Sequence, residues 1–194
     1  MNIAIVKYNA GNVESVKNAL NRFGIEPILT DDAETLQNAD KVIFPGVGEA
    51  STAMNYLRAK RLDVVIKSLE QPVLGVCLGM QLLCSHSDEN NTTCLGILPY
   101  IVRKFVSDTV KVPQIGWNNI FNLESKIFNG IEEHSFVYFV HSFYVESGIE
   151  TVATCEYSLN FSAAVEHKNF YAVQFHPEKS GEIGAKILEN FLKI

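Results

Sequence analysis

Apolar residues in the first half of the chain occur either in short continuous runs or at helical spacing. The continuous runs predict buried strands at residues 3–6, 25–29, 41–44 and 73–76. Between the first two runs, Val13, Val16, Leu20 and Phe23 recur at the spacing of one helix face. Further helices are predicted at 32–38, at 51–69 and directly after Cys77. Strands that alternate with helices predict a mostly parallel central sheet flanked by helices.

The second half of the chain is richer in strands. They are predicted at residues 100–105, 118–121, 136–146, 151–156, 162–166 and 170–174, after a polar loop at 88–93. Residues 180–193 predict a closing amphipathic helix, with Ile183, Ile187 and Phe191 on one face. The chain has no repeat and no linker long enough to separate domains. We therefore expect residues 1–194 to form a single α/β domain with a strand-rich second half.

Composition excludes several classes of function. The 194 residues carry a net charge of −6 and no basic run, which argues against nucleic acid as a partner. No stretch approaches the ~20 apolar residues of a membrane span, and the start lacks the features of a signal peptide. The four cysteines show neither Cys-x-x-Cys spacing nor a zinc-binding pattern. We expect a cytoplasmic protein with reduced thiols, no metal and no other cofactor.

The most informative motif is Gly75-Val76-Cys77-Leu78-Gly79, which joins a predicted buried strand to a predicted helix. Gly-x-Cys-x-Gly at such a junction is the cysteine form of the nucleophile elbow, a sharp turn that exposes one reactive side chain. Glycines flank the nucleophile because a Cβ would crowd the turn. A cysteine at a helix N-terminus also favours the thiolate. The motif therefore predicts an enzyme with a covalent intermediate.

A cysteine nucleophile needs a base and a group that orients the base. Among five histidines, only His176 lies in a suitable context, after an apolar strand and before Pro177. Glu178 lies two residues further on, so both side chains would face the same side of an extended chain. By itself, His-x-Glu also fits an ordinary structural histidine.

A third motif, Pro45-Gly46-Val47-Gly48, follows the predicted strand at 41–44. Glycines at this point would let backbone N–H groups approach a carbonyl oxygen that becomes negative during attack. The tetrapeptide alone fits a simple turn between a strand and a helix equally well.

Together, these three motifs resemble the class I, triad-type glutamine amidotransferases, which have a flavodoxin-like α/β fold. The resemblance extends through Met80-Gln81 and through Lys179-Ser180, and it runs from about residue 3 to the end of the chain. Within the family, three further segments resemble the branch of glutaminase subunits that serve imidazole glycerol phosphate synthase. They are Gly11-Asn12, Gly116-Trp117-Asn118 and Tyr138-Phe139-Val140-His141-Ser142.

The resemblance implies a role for each matching position. Cys77 would attack the carboxamide of glutamine, His176 would act as base and then acid, and Glu178 would orient His176. The oxyanion hole would consist of backbone N–H groups of Val47, Gly48 and Leu78. The amino-acid end of glutamine would be held by Gln81, Glu89 and the segment His141, Ser142 and Phe143. A carboxylate such as Glu89 suits the ammonium group of the substrate, although an exposed loop carboxylate needs no such role.

The sequence contains no phosphate-binding loop, dinucleotide fingerprint or metal cluster that could bind an acceptor for ammonia. The acceptor site must then lie on another chain. The resemblance implies a heterodimer with a (β/α)8-barrel cyclase that forms imidazole glycerol phosphate and aminoimidazole carboxamide ribotide in histidine biosynthesis. Trp117, Tyr138 and Lys179 are candidates for the docking face, with Tyr138 equally compatible with the core. The chain departs from many relatives at Gln114-Ile115, where they have His-Met.

Rival functions remain open on these residues. This chain could be a glutaminase of the same family that serves another synthase, such as one for sugar amidation. It could also be a non-catalytic relative that only scaffolds its partner. Gly-x-Cys-x-Gly also fits a cysteine peptidase or a redox-sensing thiol on a similar fold. For the glutaminase, we expect low activity until the partner binds its nucleotide substrate, with a peptide flip near Gly46-Val47-Gly48 that completes the oxyanion hole.

Overall fold

A computed structural model describes residues 1–8 and 13–194. The segment Gly11-Asn12 that contributed to the family resemblance lies outside the described residues. Within the described ranges, no helix has the length and apolar character needed to cross a membrane.

Thirteen strands and six α-helices form the described fold. The strands are β1 (Ile3–Val6), β2 (Ile28–Thr30), β3 (Lys41–Phe44), β4 (Val73–Val76), β5 (His86–Ser87), β6 (Thr92–Thr93), β7 (Ile101–Lys104), β8 (Gln114–Ile120), β9 (Ser135–His141), β10 (Phe143–Val145), β11 (Thr151–Tyr157), β12 (Leu159–His167) and β13 (Phe170–Val173). The helices are α1 (Val13–Asn21), α2 (Ala33–Gln37), α3 (Ala50–Ala59), α4 (Leu62–Lys67), α5 (Leu78–Leu83) and α6 (Gly181–Leu192). Short 3-10 turns occupy Glu89–Asn91, Lys126–Phe128 and Pro177–Lys179.

The central sheet has seven strands in the order β11-β12-β13-β4-β3-β1-β2. The five strands from β13 to β2 pair in parallel, whereas β12 and β11 pair antiparallel at the other edge. Every residue of β1, β3, β4 and β13 is buried. Two apolar clusters account for this burial, one on each side of the sheet strands. The predicted α/β class with a mostly parallel central sheet is confirmed.

Two smaller sheets arise from the strand-rich second half. One contains β10, β7, β5 and β6, and the other is the two-stranded antiparallel ribbon of β8 and β9. The ribbon pairs Gln114 with His141 at one end and Ile120 with Ser135 at the other. It carries residues from the exposed surface to the neighbourhood of Cys77, whose Sγ lies 3.9 Å from the Val140 carbonyl oxygen.

Several predicted boundaries move in the structure. The second strand begins at Ile28 rather than at residue 25, because Pro27 has no N–H group to contribute to a ladder. The predicted strand at 136–146 is divided at Ser142, since β9 pairs with β8 while β10 pairs with β7. The predicted strand at 118–121 starts earlier, at Gln114. The predicted polar loop at 88–93 contains a 3-10 turn and the short strand β6.

Candidate active site

Cys77 occupies the turn between β4 and α5 with φ 53° and ψ −109°. A non-glycine residue rarely adopts a positive φ, and such strain is concentrated at functional sites. The backbone N–H of Cys77 donates to the Val173 carbonyl at 2.8 Å, which fixes the turn against β13. A Cβ on Gly79 would lie 1.8 Å from the Phe44 carbonyl oxygen. The turn therefore has the geometry of a nucleophile elbow. Position 79 must be glycine because the backbone there lies too close to the end of β3 for a side chain to fit.

His176 and Glu178 form a buried pair beside this cysteine. Nδ1 of His176 lies 2.8 Å from Oε1 of Glu178, and both side chains are 1% exposed. A side-chain hydrogen bond joins His176 to Cys77. Burial alone would lower the pKa of His176, but the hydrogen bonds and negative charges of Cys77 and Glu178 outweigh burial and raise that pKa to about 10. The three side chains thus form a continuous arrangement of thiol, imidazole and carboxylate.

The local geometry of this pair differs from the predicted one. We expected an extended chain to place His176 and Glu178 on the same side. Instead, His176 precedes a 3-10 turn at Pro177–Lys179, and the turn brings the carboxylate back to the imidazole. Pro177 at the first position of the turn suits its fixed φ and missing N–H.

The segment expected to form an oxyanion hole lies directly against the elbow. The Leu78 N–H donates to the carbonyl of Gly46 at 3.2 Å, so a protein oxygen already accepts from this donor. Gly48 has φ +119°, a conformation that favours glycine. A Cβ on Gly46 would lie 2.2 Å from the Tyr8 hydroxyl, which itself donates to the Pro45 carbonyl at 2.5 Å. Gly46 is therefore closely packed, and its carbonyl oxygen accepts the hydrogen bond from the Leu78 N–H.

A cavity of about 310 Å³ opens above Cys77. It brings together every residue that we expected to form the oxyanion hole or to bind substrate: Val47, Gly48, Leu78, Gln81, Glu89, His141, Ser142 and Phe143. Cys77, Pro113 and Val140 complete the lining. Pro113 and Val140 were not predicted, because an apolar wall residue has no distinctive sequence pattern.

Gln81 is held by two acceptors. Its amide nitrogen donates to the Phe143 carbonyl and to Oε1 of Gln174, both at 3.0 Å. Because both amide hydrogens are used, the amide oxygen is the group left to contact a ligand. An oxygen acceptor suits the ammonium group of an amino acid.

Glu89 links the cavity to the helix that follows the Gly46 segment. Its Oε2 accepts from the Ala50 N–H at 2.7 Å, at the start of α3. Burial raises the pKa of Glu89, while the bond from Ala50 lowers it and the charge of Glu49 raises it further. Glu89 is thus a half-buried carboxylate in the cavity wall, and its hydrogen bond from Ala50 also ties it to the start of α3.

His141 is a neutral, buried histidine. Burial lowers its pKa to about 4, despite the hydrogen bond from its Nδ1 to the Phe143 carbonyl at 2.7 Å. Since that carbonyl only accepts, Nδ1 carries the hydrogen and Nε2 is an acceptor. Nε2 lies 3.0 Å from the side-chain oxygen of Gln114. Since two acceptors cannot form a hydrogen bond, the Gln114 amide is assigned the opposite orientation, in which its nitrogen donates to Nε2. Gln114 therefore supports the cavity wall through His141.

The candidate docking residues lie outside the cavity, on the β8–β9 ribbon and the turn beside it. Trp117 is 56% exposed and pairs across the ribbon with the half-buried Tyr138, with their ring centroids 6.0 Å apart. Lys179 is exposed on the 3-10 turn. The same ribbon also exposes Ile115 and Phe136, which were not among the predicted docking residues. These residues form a mixed aromatic and aliphatic surface, and Trp117 has the expected exposure.

The other three cysteines are free and buried. Burial raises the pKa of Cys94 to about 11 and that of Cys155 to about 12, and it raises the pKa of Cys84 well above its ordinary value. A thiol in such surroundings is unreactive. Among the residues that the structure describes, no cluster of His, Cys, Asp and Glu could hold a metal ion.

Comparison with protein families gives one match along nearly the whole chain. The model of "Glutamine amidotransferase class-I" matches residues 4–194. The imidazole glycerol phosphate synthase subunit HisH of Bacteroides thetaiotaomicron is 56% identical, with all of both chains covered. The protein of the same description from Escherichia coli K12 is 44% identical, again with all of both chains covered.

Solved structures show the same fold at low sequence identity. The structure of PurLQS from Thermotoga maritima superposes with a TM-score of 0.74 at 19% identity, covering 99% of this chain and 97% of the other. A glutamine amidotransferase from Thermotoga maritima gives a TM-score of 0.67 at 17% identity, covering 100% of this chain and 83% of the other.

Proposed function

The chain belongs to the class I glutamine amidotransferase family, and from that premise we propose that it is the glutaminase subunit of an imidazole glycerol phosphate synthase. It hydrolyses L-glutamine to glutamate and ammonia with Cys77, His176 and Glu178 as its triad. The observation that carries this proposal is the buried contact of Glu178 with His176, beside a cysteine on a strained elbow at the floor of a cavity. The full-length relatives support the choice of branch within the family.

The first half of the reaction forms a thioester. The Cys77 thiolate attacks the side-chain carbonyl carbon of glutamine, and the carbonyl electrons move onto oxygen. Protonated His176 then gives its proton to the departing nitrogen, which leaves as ammonia when the carbonyl re-forms. Until that transfer, Glu178 stabilises the cationic His176, because the pair is buried and hydrogen-bonded.

The second half of the reaction hydrolyses that thioester. His176, now neutral, removes a proton from water, and the hydroxide attacks the thioester carbonyl. The tetrahedral intermediate collapses to the side-chain carboxylic acid and restores the Cys77 thiolate beside protonated His176. The acid loses its proton to solvent and is released as glutamate. The proposed steps in both halves use only Cys77, His176, Glu178 and water.

The oxyanion hole needs a change in the Gly46–Val47 peptide. In the structure, the Gly46 carbonyl accepts from the Leu78 N–H that would bind the oxyanion. A flip of this peptide frees the Leu78 donor and turns the Val47 N–H toward the cavity, beside Gly48. Loss of one oxyanion donor costs about 10²–10³ in rate, so the conformation described here is a low-activity one.

Ammonia from this site is consumed on a second chain. We infer that the β8–β9 ribbon, with Trp117 and Tyr138, and the adjacent Lys179 dock the (β/α)8-barrel cyclase as a heterodimer. An aromatic surface that is partly exposed in the isolated chain suits such an interface. The cyclase would use ammonia to form imidazole glycerol phosphate and aminoimidazole carboxamide ribotide. A reduced Cys77 fits a cytoplasmic location for this complex.

Labelling by a glutamine analogue that carries an electrophilic diazoketone tests the nucleophile and the substrate together. We expect one covalent adduct per chain, on the peptide that contains Cys77, because this cysteine alone combines a base with a cavity. Mass spectrometry of the digested protein locates the adduct. The Cys77→Ala variant should lose it, and excess L-glutamine should slow its formation. Labelling that is unchanged in Cys77→Ala would refute the assignment, and labelling that glutamine does not slow would favour a peptidase or a redox thiol.

A further inference from the structure

Gln174 is fully buried and lies between the end of β13 and His176. A buried amide costs free energy unless its polar atoms are hydrogen-bonded. The side-chain nitrogen of Gln174 donates to Sγ of Cys77 at 3.6 Å, and its oxygen accepts from the Gln81 amide at 3.0 Å. Its backbone N–H donates to the Ala163 carbonyl at 2.8 Å, which anchors the residue to β12. The backbone of Gln174 is thus held by the central sheet, while its side chain extends to the Cys77 sulfur.

The orientation of the Gln174 amide follows from one backbone oxygen. The Phe143 carbonyl can only accept, so Gln81 must present its nitrogen there. That nitrogen also faces Gln174, which must therefore present its oxygen to Gln81. The nitrogen of Gln174 is left to face Cys77. The chain of bonds from Phe143 to the sulfur consequently directs an N–H donor at the nucleophile.

A donor directed at sulfur favours its negative form. Hydrogen bonds to charged acceptors are stronger than bonds between neutral groups. The thiolate attacks as an anion and becomes a neutral thioester, so the bond is strongest before attack and when the free enzyme is restored. We propose that Gln174 is a further catalytic residue, whose side-chain N–H stabilises the Cys77 thiolate together with His176. The inference rests on the proposed role of Cys77 as the nucleophile.

Few of the charged and titratable groups around Cys77 can stabilise its thiolate, so the Gln174 donor has a role of its own. His176, with Glu178 behind it, approaches from the 3-10 turn. Tyr8 follows β1 and stays neutral, because burial and then the charge of Cys77 raise its pKa well above its ordinary value. His141 at the end of β9 is neutral as well, and Glu89 adds a carboxylate in the cavity wall. Among the described groups around the sulfur, His176 is the one cation, and the Gln174 N–H adds a second favourable interaction with the thiolate.

Alkylation of the full chain by iodoacetamide between pH 5 and pH 10 measures this contribution. Gln174→Met has similar length and no donor, so its half-maximal alkylation rate should occur about one pH unit higher than in the wild type. At pH 6 it should react about tenfold more slowly. Gln71→Met is the matched control, since the Gln71 amide also donates to a buried residue, at 2.7 Å to the Leu36 carbonyl, but lies at the opposite end of β4 from Cys77. Its alkylation profile should coincide with that of the wild type.

A second variant covers the chance that Gln174→Met does not fold. Gln174→Glu keeps an oxygen acceptor for Gln81 but adds a carboxyl group beside the sulfur. Because a carboxyl group is the stronger acid, it takes the first negative charge, and the thiolate forms only on a second ionisation. The alkylation midpoint should rise further than in Gln174→Met. Both variants are measured below their unfolding temperatures.

The possible failures are distinguishable. A wild-type midpoint in both Gln174 variants would overturn the role of Gln174 and leave Cys77 as the nucleophile. An equal upward shift in Gln71→Met would also overturn it, because the effect would then follow from losing any partly buried amide rather than the donor at Cys77. Alkylation that persists unchanged in Cys77→Ala would instead refute the proposed nucleophile and, with it, the role of Gln174.

Discussion

Glu178 is as deeply buried as the imidazole that it contacts, with both side chains 1% exposed. A buried carboxylate destabilises a protein unless a charged or hydrogen-bonded partner compensates for lost hydration. Neutral His176 would be a weak partner, whereas protonated His176 makes a charge-assisted bond. The pair is therefore best satisfied when His176 carries a proton, which is the state that the proposed mechanism needs for proton transfer to the departing nitrogen.

Replacing Glu178 by Gln removes this stabilisation while nearly preserving side-chain volume. We expect kcat for glutamine hydrolysis to fall by about 10²–10⁴, because the imidazole loses both its orientation and the support of its cation. Steady-state ammonia release with the activating partner present measures the effect. A fall of less than about threefold would contradict a catalytic role for the pair.

The same variant has a pH-dependent effect on stability. The folded-state pKa of His176 is raised to about 10 from 6.5, so protonation favours the folded state. That contribution is fully present below about pH 6.5 and is lost as the pH rises toward 10. The difference in unfolding free energy between the wild type and Glu178→Gln should therefore be largest below pH 6.5. Denaturant titrations at pH 6 and pH 9.5 measure it, and a larger difference at pH 9.5 would contradict the sign.

At the scale of elements, the elbow depends on how closely α5 approaches β3. Gly79 lies in the first turn of α5, against the Phe44 carbonyl at the end of β3. The approach places the strained Cys77 above the carboxyl ends of β4 and β13, where the cavity opens. Packing of these elements thus offsets the backbone strain at Cys77.

Gly79→Ala should destabilise the protein by about 3 kcal/mol or more, because the new Cβ would overlap backbone that cannot move alone. Gly96→Ala is the control, since Gly96 has φ +70° but no atom within 4 Å of its added Cβ. It should cost only about 1 kcal/mol, from the left-handed backbone. Urea denaturation compares the two variants. Equal losses of stability would contradict the role of close approach at the elbow.

The sequence predicts an element well when local apolar patterns define it, and poorly when its boundary depends on pairing with distant strands. The buried strands β1, β3 and β4 were predicted with correct boundaries, because strands covered on both faces appear as continuous apolar runs. The division of 136–146 at Ser142 was missed, because both halves are apolar and only their partners differ.

The same distinction applies to the candidate site. Cys77 and His176 belong to local motifs that the chain displays directly. Gln174 and Gln114 were missed as contributors, because their partners Cys77 and His141 lie 97 and 27 residues away along the chain. A buried glutamine has no local pattern that distinguishes it from an exposed one.

At the scale of the whole molecule, one strand joins the proposed docking face to the catalytic cavity. β9 carries Tyr138 on the ribbon and ends at His141 in the cavity wall. The backbone of Tyr138 also accepts from the His176 N–H at 2.9 Å and donates to Ser180 Oγ at 2.9 Å. A partner seated on Tyr138 would therefore contact a strand that is hydrogen-bonded directly to the backbone of His176. This arrangement gives docking a short physical connection to the site.

Ammonia release from L-glutamine tests the central claim most directly, with the full chain assayed alone, with the cyclase, and with the cyclase and its nucleotide ligand. We expect the third condition to exceed the first by at least about 10²-fold, because the Gly46–Val47 flip supplies a missing oxyanion donor. Trp117→Ala should require more cyclase for half-maximal stimulation. Equal rates of ammonia release in all three conditions would contradict the account.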